Sequence, residues 1–360
     1  MTASFNFSPR VAIHSIALVA IFLLTSEAAS AQHVTRIGFG SCSHQDKPQP
    51  IWASVLEDKP DAFIFLGDNI YGDSDDVAVL EEKYARLAAI PGFAALREQV
   101  ATYATWDDHD YGRNDAGREY PSKEASRQLL LDFWGEPDSS PRRTQQGGIY
   151  TSVQFTEPAA SARLRGAEPR VIQLLLLDLR WNRTALNEIT DDTLRAQRVE
   201  ESRGPYEALL GADAELLGDA QWTWLENNFA EDVDLRLIGS SIQVLAEFTG
   251  WESWANFPRE RTALLDLVNQ HSQVPTVFLS GDVHWSELSQ IPQRAKPALI
   301  ELTSSGLTEE WKAISPNRHR VGPAFAEANY GLISVEWNEE LDITLEIKNV
   351  AGEVLISSAL

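Results

Sequence analysis

One local pattern recurs along this chain and limits its fold more than any bulk property does. A short apolar run stops at a polar residue able to bind metal, usually with a glycine between them. The sharpest instance is Phe278-Leu279-Ser280-Gly281-Asp282-Val283-His284-Trp285. Four apolar or small residues lead into Gly-Asp-x-His, which reads as a buried strand presenting two metal-capable side chains at its C-terminal edge. Asp282 and His284 are two apart, so on an extended chain they point the same way. Ala62 to Leu66 runs into Gly67-Asp68-Asn69-Ile70-Tyr71, Ala101 to Trp106 runs into Asp107-Asp108-His109-Asp110, and Thr35 to Ser41 ends in Cys42, the only cysteine. Ligands bind outside the carboxyl ends of strands in open α/β sheets. Four strands with such endings therefore predict one site at a sheet edge.

The remaining segments supply the layers. Pro48 and Pro50 open a short helix carrying Ile51, Val55 and Leu56. Asp75-Asp76 lead into a helix with Leu80, Tyr84 and Leu87 at helical spacing, and Pro91-Gly92 is read as its end. Tyr111 to Gly117 is a polar loop at the mouth of the sheet. Pro121-Ser122 starts a helix that stops at Gly135, and Tyr150 to Phe155 reads as an edge strand. Val171 to Leu177 is a strong strand ending in Asp178-Leu179-Arg180. Residues 184–215 are charged and weakly patterned, which suggests an insertion or lid. Asp219 is the expected N-cap of a helix with Trp222, Leu225 and Phe229 on one face. Leu235 to Val244 is a strand interrupted at Gly239-Ser240-Ser241, Arg259 to His271 is a helix, and strands over 298–303, 332–337 and 343–347 close the chain. This alternation predicts layered α/β with mixed sheets.

The chain has 360 residues and a formal net charge of −23. Residues 1–31 read as a secretory signal: Arg10, an apolar core from Val11 to Leu24, and Ala29-Ser30-Ala31 before Gln32. That core is short for a membrane span, so residues 32–360 are expected as one exported domain, periplasmic or secreted, with no stable membrane anchor. The acidic balance argues against a nucleic-acid-binding surface. An enzyme acting on anionic substrates would need local positive charge from metals or arginines. A single cysteine forms no intrachain disulfide, so Cys42 is either buried and inert or a ligand.

The ordered set Gly40-Ser41-Cys42, Gly67-Asp68-Asn69-Ile70-Tyr71, Trp106-Asp107-Asp108-His109-Asp110 and Gly281-Asp282-Val283-His284 resembles the calcineurin-like metallophosphoesterase superfamily, and more closely its PhoD-like alkaline phosphatases. Asp178-Leu179-Arg180, Leu217 to Leu225 and Gly239-Ser240-Ser241 also sit where that family has similar stretches. The resemblance spans about Ile37 to Glu287. It implies a four-layer αββα sandwich with two mixed β-sheets and a binuclear metal site between the sheet ends. Cys42, Asp68, Tyr71 and His284 would hold a ferric ion. Asp68 would bridge to a second metal, bound also by Asp108 and Asp282 and expected to be Ca²⁺, with Mn, Mg or Zn as alternatives. A hydroxide bridging the two would attack phosphorus in line, and His109 would be the histidine acting in the transition state. One departure stands out: the superfamily has a further histidine before the last motif, and Ser240-Ser241-Ile242-Gln243 contains none.

The chemistry of the residues points the same way. Thiolate and phenolate are charge-donating ligands suited to a transition metal. An all-carboxylate site suits a hard cation. Metals roughly 3.5–4 Å apart clamp both the attacking and the leaving oxygen of a displacement. His109 would serve the leaving oxygen, with Asp110 able to orient its ring, and Arg180 would clamp the phosphate. Of Asp107, Asp108 and Asp110, one is expected to bind metal directly, with Asp108 preferred. Trp251 and Trp254 are read either as pocket walls or as core. The expectation is a monomeric exported alkaline phosphatase acting on small phosphomonoesters. A phosphodiesterase or phospholipase D-type enzyme on the same site is the alternative; a non-catalytic metal-binding protein and a redox iron protein rank behind it.

Overall fold

The computed structural model describes Met1 and residues 34–360; apart from Met1, the expected leader lies outside the described residues. β1 (Val34–Gly40) is fully covered over its last four residues. α1 (Ile51–Glu57) connects it to β2 (Ala62–Leu66), which is apolar and buried at every position, as a strand covered on both faces must be. α2 (Val77–Ala88) begins where the Asp76 carboxylate accepts from the Ala78 N–H. α3 (Pro91–Gln99) then leads to β3 (Ala101–Thr105). In the sequence Pro91-Gly92 marks a helix end, but in the structure Pro91 opens a helix: its missing N–H is one that a first helical turn leaves unpaired anyway.

The chain continues through α4 (Asp108–Tyr111), α5 (Lys123–Phe133), β4 (Thr151–Thr156), α6 (Ala159–Arg165) and β5 (Val171–Leu176). The charged segment 184–215 carries β6 (Asn187–Glu188), α7 (Asp192–Glu200) and β7 (Tyr206–Glu207), with β6 and β7 paired. α8 (Asp219–Phe229), β8 (Leu235–Ser240), α9 (Pro258–Gln270) and β9 (Thr276–Ser280) follow, then β10 (Ser286–Ile291), β11 (Leu299–Ser304), β12 (Asn329–Trp337), β13 (Leu341–Asn349) and β14 (Val354–Ala359). Helix α8 corrects another expectation. Its N-cap is Gly218 at φ 74°, and Asp219 is its first residue and makes no capping bond.

Two six-stranded sheets form, in the orders β14-β13-β12-β1-β2-β3 and β10-β11-β9-β8-β5-β4. Each is mixed: β1, β2 and β3 are parallel and β12 to β14 antiparallel in the first, while β5, β8, β9 and β11 are parallel between antiparallel edges in the second. Strand alternation builds the layers. Ile64 and Leu66 of β2 join Leu174, Leu237 and Leu279 of the other sheet in one core, while Phe63 and Phe65 face outward onto α1, α2 and α3. Leu175, Ile238 and Phe278 turn to the opposite outer face, where Leu225 and Phe229 of α8 and Leu264 and Val268 of α9 cover them. The fold is thus α/β, a sandwich of two sheets between two helical layers. Among the described residues no helix is long and apolar enough to cross a membrane.

Candidate metal centre

The parallel strands of both sheets end on the same side, and the polar residues after them converge. Cys42 follows β1, Asp68 follows β2, Asp107 to His109 follow β3, Arg180 follows β5, Ser241 follows β8, and Asp282 and His284 follow β9. The turn after β2 explains how closely they meet. Gly67 has φ +103°, and a methyl there would lie 2.5 Å from the Asp107 Cβ. Glycine therefore lets the β2 turn press onto the β3 turn and sets Asp68 beside Asp107. The end of β9 differs from the extended geometry expected of Asp282 and His284. Both have left-handed backbone, φ 71° and 62°, as do Cys42 at 64° and Asp68 at 51°. Such a conformation costs a non-glycine residue about 1 kcal/mol or more. Hydrogen bonds hold it: His284 N–H donates to Ser305 Oγ (2.8 Å), Trp311 N–H to the His284 carbonyl (2.9 Å), and Ser43 N–H to the Asp68 carbonyl (2.8 Å).

Three overlapping sets of ligand-type atoms result. Cys42, Asp68 and His284 bring one atom each within 4.8 Å of one another, as do Asp68, Asp107, Asp108 and Asp282, and Asp68, Asp108 and His109. Asp68 is common to all three. The Tyr71 hydroxyl lies 2.9 Å from His284 Nε2, and its ring packs on His109 and His44. The Cys42 Sγ meets Ser41 Oγ and Ser305 Oγ at 3.2 Å each, and burial pushes its thiol up to about 12.

The acids are crowded and buried. Burial lifts Asp68 and Asp282 well above the carboxylate range, and neighbouring acids add to it. Burial also raises Asp107 to about 8, although Arg180 opposes the rise. Burial acts on Asp108 too, but His109, Arg180 and the Asp115 N–H outweigh it and hold this acid below its ordinary value. His284 is lowered to about 4 by burial. Burial works against a charge on His109, yet Asp108, Asp68 and Asp73 together raise it to about 11.

Two expectations change here. Arg180 does not face the pocket. It is completely buried, donating from Nε to Asp107 Oδ1 (2.6 Å) and from Nη1 to Glu252 Oε1 (2.9 Å). It holds two carboxylates in place. Asp110 does not orient His109. Its carboxylate accepts from the backbone N–H groups of Asp107, Asp68 and Asn69 and from the Asn69 amide, tying the β2 and β3 turns together. The partner of His109 Nδ1 is Asp73 Oδ1 at 2.7 Å. Asp107 stands inside the acid set alongside Asp108, so more than one residue of that motif faces the centre. Where the superfamily's extra histidine is missing, Ser241 Oγ donates to Asp107 Oδ1 (2.6 Å).

Above the acids lies a pocket of about 210 Å³ lined by Asp108, His109, Asp115, Glu252, Asp282 and His284, with Trp251, Trp285 and Trp311 among its walls. Trp251 is a wall; Trp254 is core, fully buried with its indole N–H on Ser240. Asp73, Asp115 and Glu252 escaped the sequence reading. Asp115 and Glu252 form a further acid set with Asp108, and Tyr206 from the 184–215 segment donates to Asp115. The one signal for Glu252 was its place between two tryptophans.

No curated protein matches the chain to a significant degree. Among solved structures it is similar to PhoD, with a TM-score of 0.66 at 15% identity over 91% of this chain and 68% of that one. It is also similar to GAP50, the anchor in the inner membrane complex of Plasmodium (0.55, 10%, 91% and 88%), and to a dimetal phosphatase from Danio rerio (0.50, 13%, 90% and 98%). At these identities the likeness is one of fold. The family model of the PhoD-like phosphatases matches residues 169–349, half of the chain. The chain belongs to the PhoD-like phosphatase family and is a phosphoric ester hydrolase with a metal-dependent site.

Proposed function

We propose that this chain is an exported alkaline phosphatase that hydrolyses phosphomonoesters at a binuclear centre. Cys42, Asp68, Tyr71 and His284 would hold one cation, ferric iron by the chemistry of thiolate and phenolate. Asp68, Asp108 and Asp282, with Asp107 beside them, would hold a second, hard cation such as Ca²⁺. The observation that carries this reading is the state of the acids. Asp68 Oδ1, Asp107 Oδ2 and Asp108 Oδ1 are buried without a hydrogen-bond partner. Unpaired carboxylate oxygens in a dry interior are costly, and a cation among them removes the cost. The unpaired carboxylate oxygens therefore support a hard cation among these acids, and Asp68 carries its carboxylate into the Cys42–His284 set as well.

When bound, the metals would supply positive charge for the phosphoryl oxygens and lower the pKa of the attacking water. The chain's own residues do the rest. Arg180 and Ser241 fix the Asp107 carboxylate, and Arg180 also secures Glu252 at the pocket edge. Asp73 takes His109 Nδ1 and so sets the ring, leaving Nε2 to give a proton to the leaving oxygen. Trp251, Trp285 and Trp311 wall the pocket and limit water around the ester. Export is supported by the apolar run 11–24 and Ala29-Ser30-Ala31.

The test is hydrolysis of an aryl phosphomonoester and the matching diester by protein starting at Gln32 and supplied with iron and calcium. Asp68→Asn, which removes the one carboxylate common to all three sets, should lower the monoester rate by at least about a thousandfold. Faster turnover of the diester would replace the monoesterase by a phosphodiesterase on the same site. Metal uptake without hydrolysis of either ester would overturn the enzymatic reading.

A further inference from the structure

Cys42 carries the single thiol of the chain, and two serine hydroxyls close around its sulfur. Ser41 Oγ and Ser305 Oγ each lie 3.2 Å from Sγ. Both serines are buried, as is Cys42. Ser41 is the first residue after β1, and Ser305 is the first after β11, a further strand end that reaches the centre. The segment 305–308 runs along the β1 turn as a strap. Leu307 N–H donates to the Ser41 carbonyl (3.0 Å) and Thr308 N–H to the Cys42 carbonyl (3.1 Å). On the other side Gly281 leaves room for the Ser41 hydroxyl, since a methyl there would lie 2.3 Å from its Oγ. Backbone on both sides therefore sets the two hydroxyls.

The direction of these hydrogen bonds follows from their neighbours. Asp282 N–H donates to Ser41 Oγ (3.3 Å) and His284 N–H to Ser305 Oγ (2.8 Å). A backbone N–H can only donate, so each serine oxygen already accepts. The thiol proton of Cys42 lies toward Asp68 Oδ2 (3.5 Å). Each hydroxyl has one proton to give, and among the described residues Sγ is its acceptor. Two O–H donors thus converge on one sulfur. Burial disfavours a thiolate there, and Ser305 and Ser41 act against it. Each serine also joins the sulfur to another residue of the centre: Ser41 ties Cys42 to Asp282, and Ser305 ties it to His284.

On the reading of Cys42 as a metal ligand, we propose that Ser41 and Ser305 are positioning residues of the centre: they hold the sulfur in register with the Asp282 and His284 turns and moderate the charge it gives to the metal. A hydrogen bond to a metal-bound sulfur draws electron density away from the metal. The cation then keeps more of its positive charge, which is what polarising a phosphoryl oxygen requires. A hydrogen-bonded sulfur also yields an electron to the metal less readily, so its charge-transfer band falls at shorter wavelength than that of a bare thiolate.

The test uses the whole chain in two states. Loaded with Co²⁺, it should show a near-ultraviolet sulfur-to-cobalt band that is absent in Cys42→Ser. In Ser305→Ala and in Ser41→Ala the band should move to longer wavelength, and further in the double variant, with Co²⁺ bound about tenfold more weakly in each single variant. Ser304→Ala is the control. Ser304 is equally buried, but its hydroxyl donates to Asn329 Oδ1 (2.9 Å), so the band should stay in place. Free of metal, the S–H infrared stretch comes from one group in the chain, and it should shift in Ser305→Ala and Ser41→Ala but not in Ser304→Ala. Each substitution removes one oxygen and leaves the backbone hydrogen bonds of the strap in place. A sulfur band or an S–H stretch that ignores the loss of both hydroxyls, or answers alike to Ser304→Ala, overturns the inference and leaves the phosphoesterase reading standing. A wild type without a sulfur band overturns the ligand role of Cys42, and with it the tuning of the metal.

Discussion

Stripping the metals should make stability fall as pH rises, and the acids of the centre give the size of the effect. Asp107 rises from its ordinary value to about 8 through burial. A carboxyl whose pKa is raised on folding favours the folded state while protonated, and that advantage is lost as pH climbs toward the raised value. Between pH 5 and pH 8, Asp107 alone takes away about 4 kcal/mol at roughly 1.4 kcal/mol per pH unit. His284 acts in the opposite sense. Lowered to about 4 by burial, it is folded neutral, so its contribution is present above the ordinary histidine range and costs about 2 kcal/mol at pH 5. The acids win, because Asp68 and Asp282 are raised as well and act with Asp107. A net loss of about 2 kcal/mol or more corresponds to roughly 4 °C in a domain of this size. The assay is thermal unfolding at pH 5, 6, 7 and 8, with chelator and with saturating metal. The chelated protein should lose its melting temperature steadily toward pH 8, while the loaded protein, whose acids are neutralised by cations, should not. Surface repulsion is common to both curves, so their difference isolates the centre. A chelated protein as stable at pH 8 as at pH 5, or a loaded protein that falls in parallel, would refute the reasoning.

Three further outcomes are expected. Asp73→Ala frees His109 and should slow esters of poorly leaving alcohols by about a hundredfold, while esters of acidic phenols lose far less; a leaving-group series measures the steeper slope. On the proposed assignment of iron and calcium, Cys42→Ser should lower bound iron strongly and spare calcium, read by elemental analysis of the purified protein. Gly148→Ala should destabilise by about 3 kcal/mol in denaturant titration, because Gly148 has φ +109° and a methyl there overlaps the Asp178 carboxylate, which caps the Ile149 N–H.

What could be read from the sequence follows from how local each signal is. The strands around Ile64, Leu174 and Phe278 were legible because short continuous apolar runs bounded by polar residues are self-contained signals, and a polar residue at the end of each placed it at one sheet edge. Helix α3 was lost because Pro91-Gly92 reads as a stop when seen from α2 and as a start only once the next strand is known. β10 and β14, with their polar and mixed residues, carry no comparable run and depend on β11 and β13 for pairing. Arg180 looked like a phosphate clamp because its position after a strand was visible. The acids that occupy it, Asp107 and Glu252, lie 73 and 72 residues away. Asp73 and Asp115 were invisible as site residues for the same reason: an isolated carboxylate in a polar loop is ordinary until the fold sets it beside His109 or Glu252.

The left-handed backbone at Cys42, Asp68, Asp282 and His284 has a consequence for how such a chain changes over generations. At each of these four places glycine would relieve the conformational strain, by about 1 kcal/mol apiece. A mutation to glycine there would erase a side chain proposed to bind metal, while the backbone relief roughly offsets the extra entropy glycine loses on folding. The backbone exerts little pull to keep these residues, so the demand of the proposed chemistry is what retains them. A descendant released from that demand should drift to glycine at these corners first, and persist as a well-folded protein free to take other work.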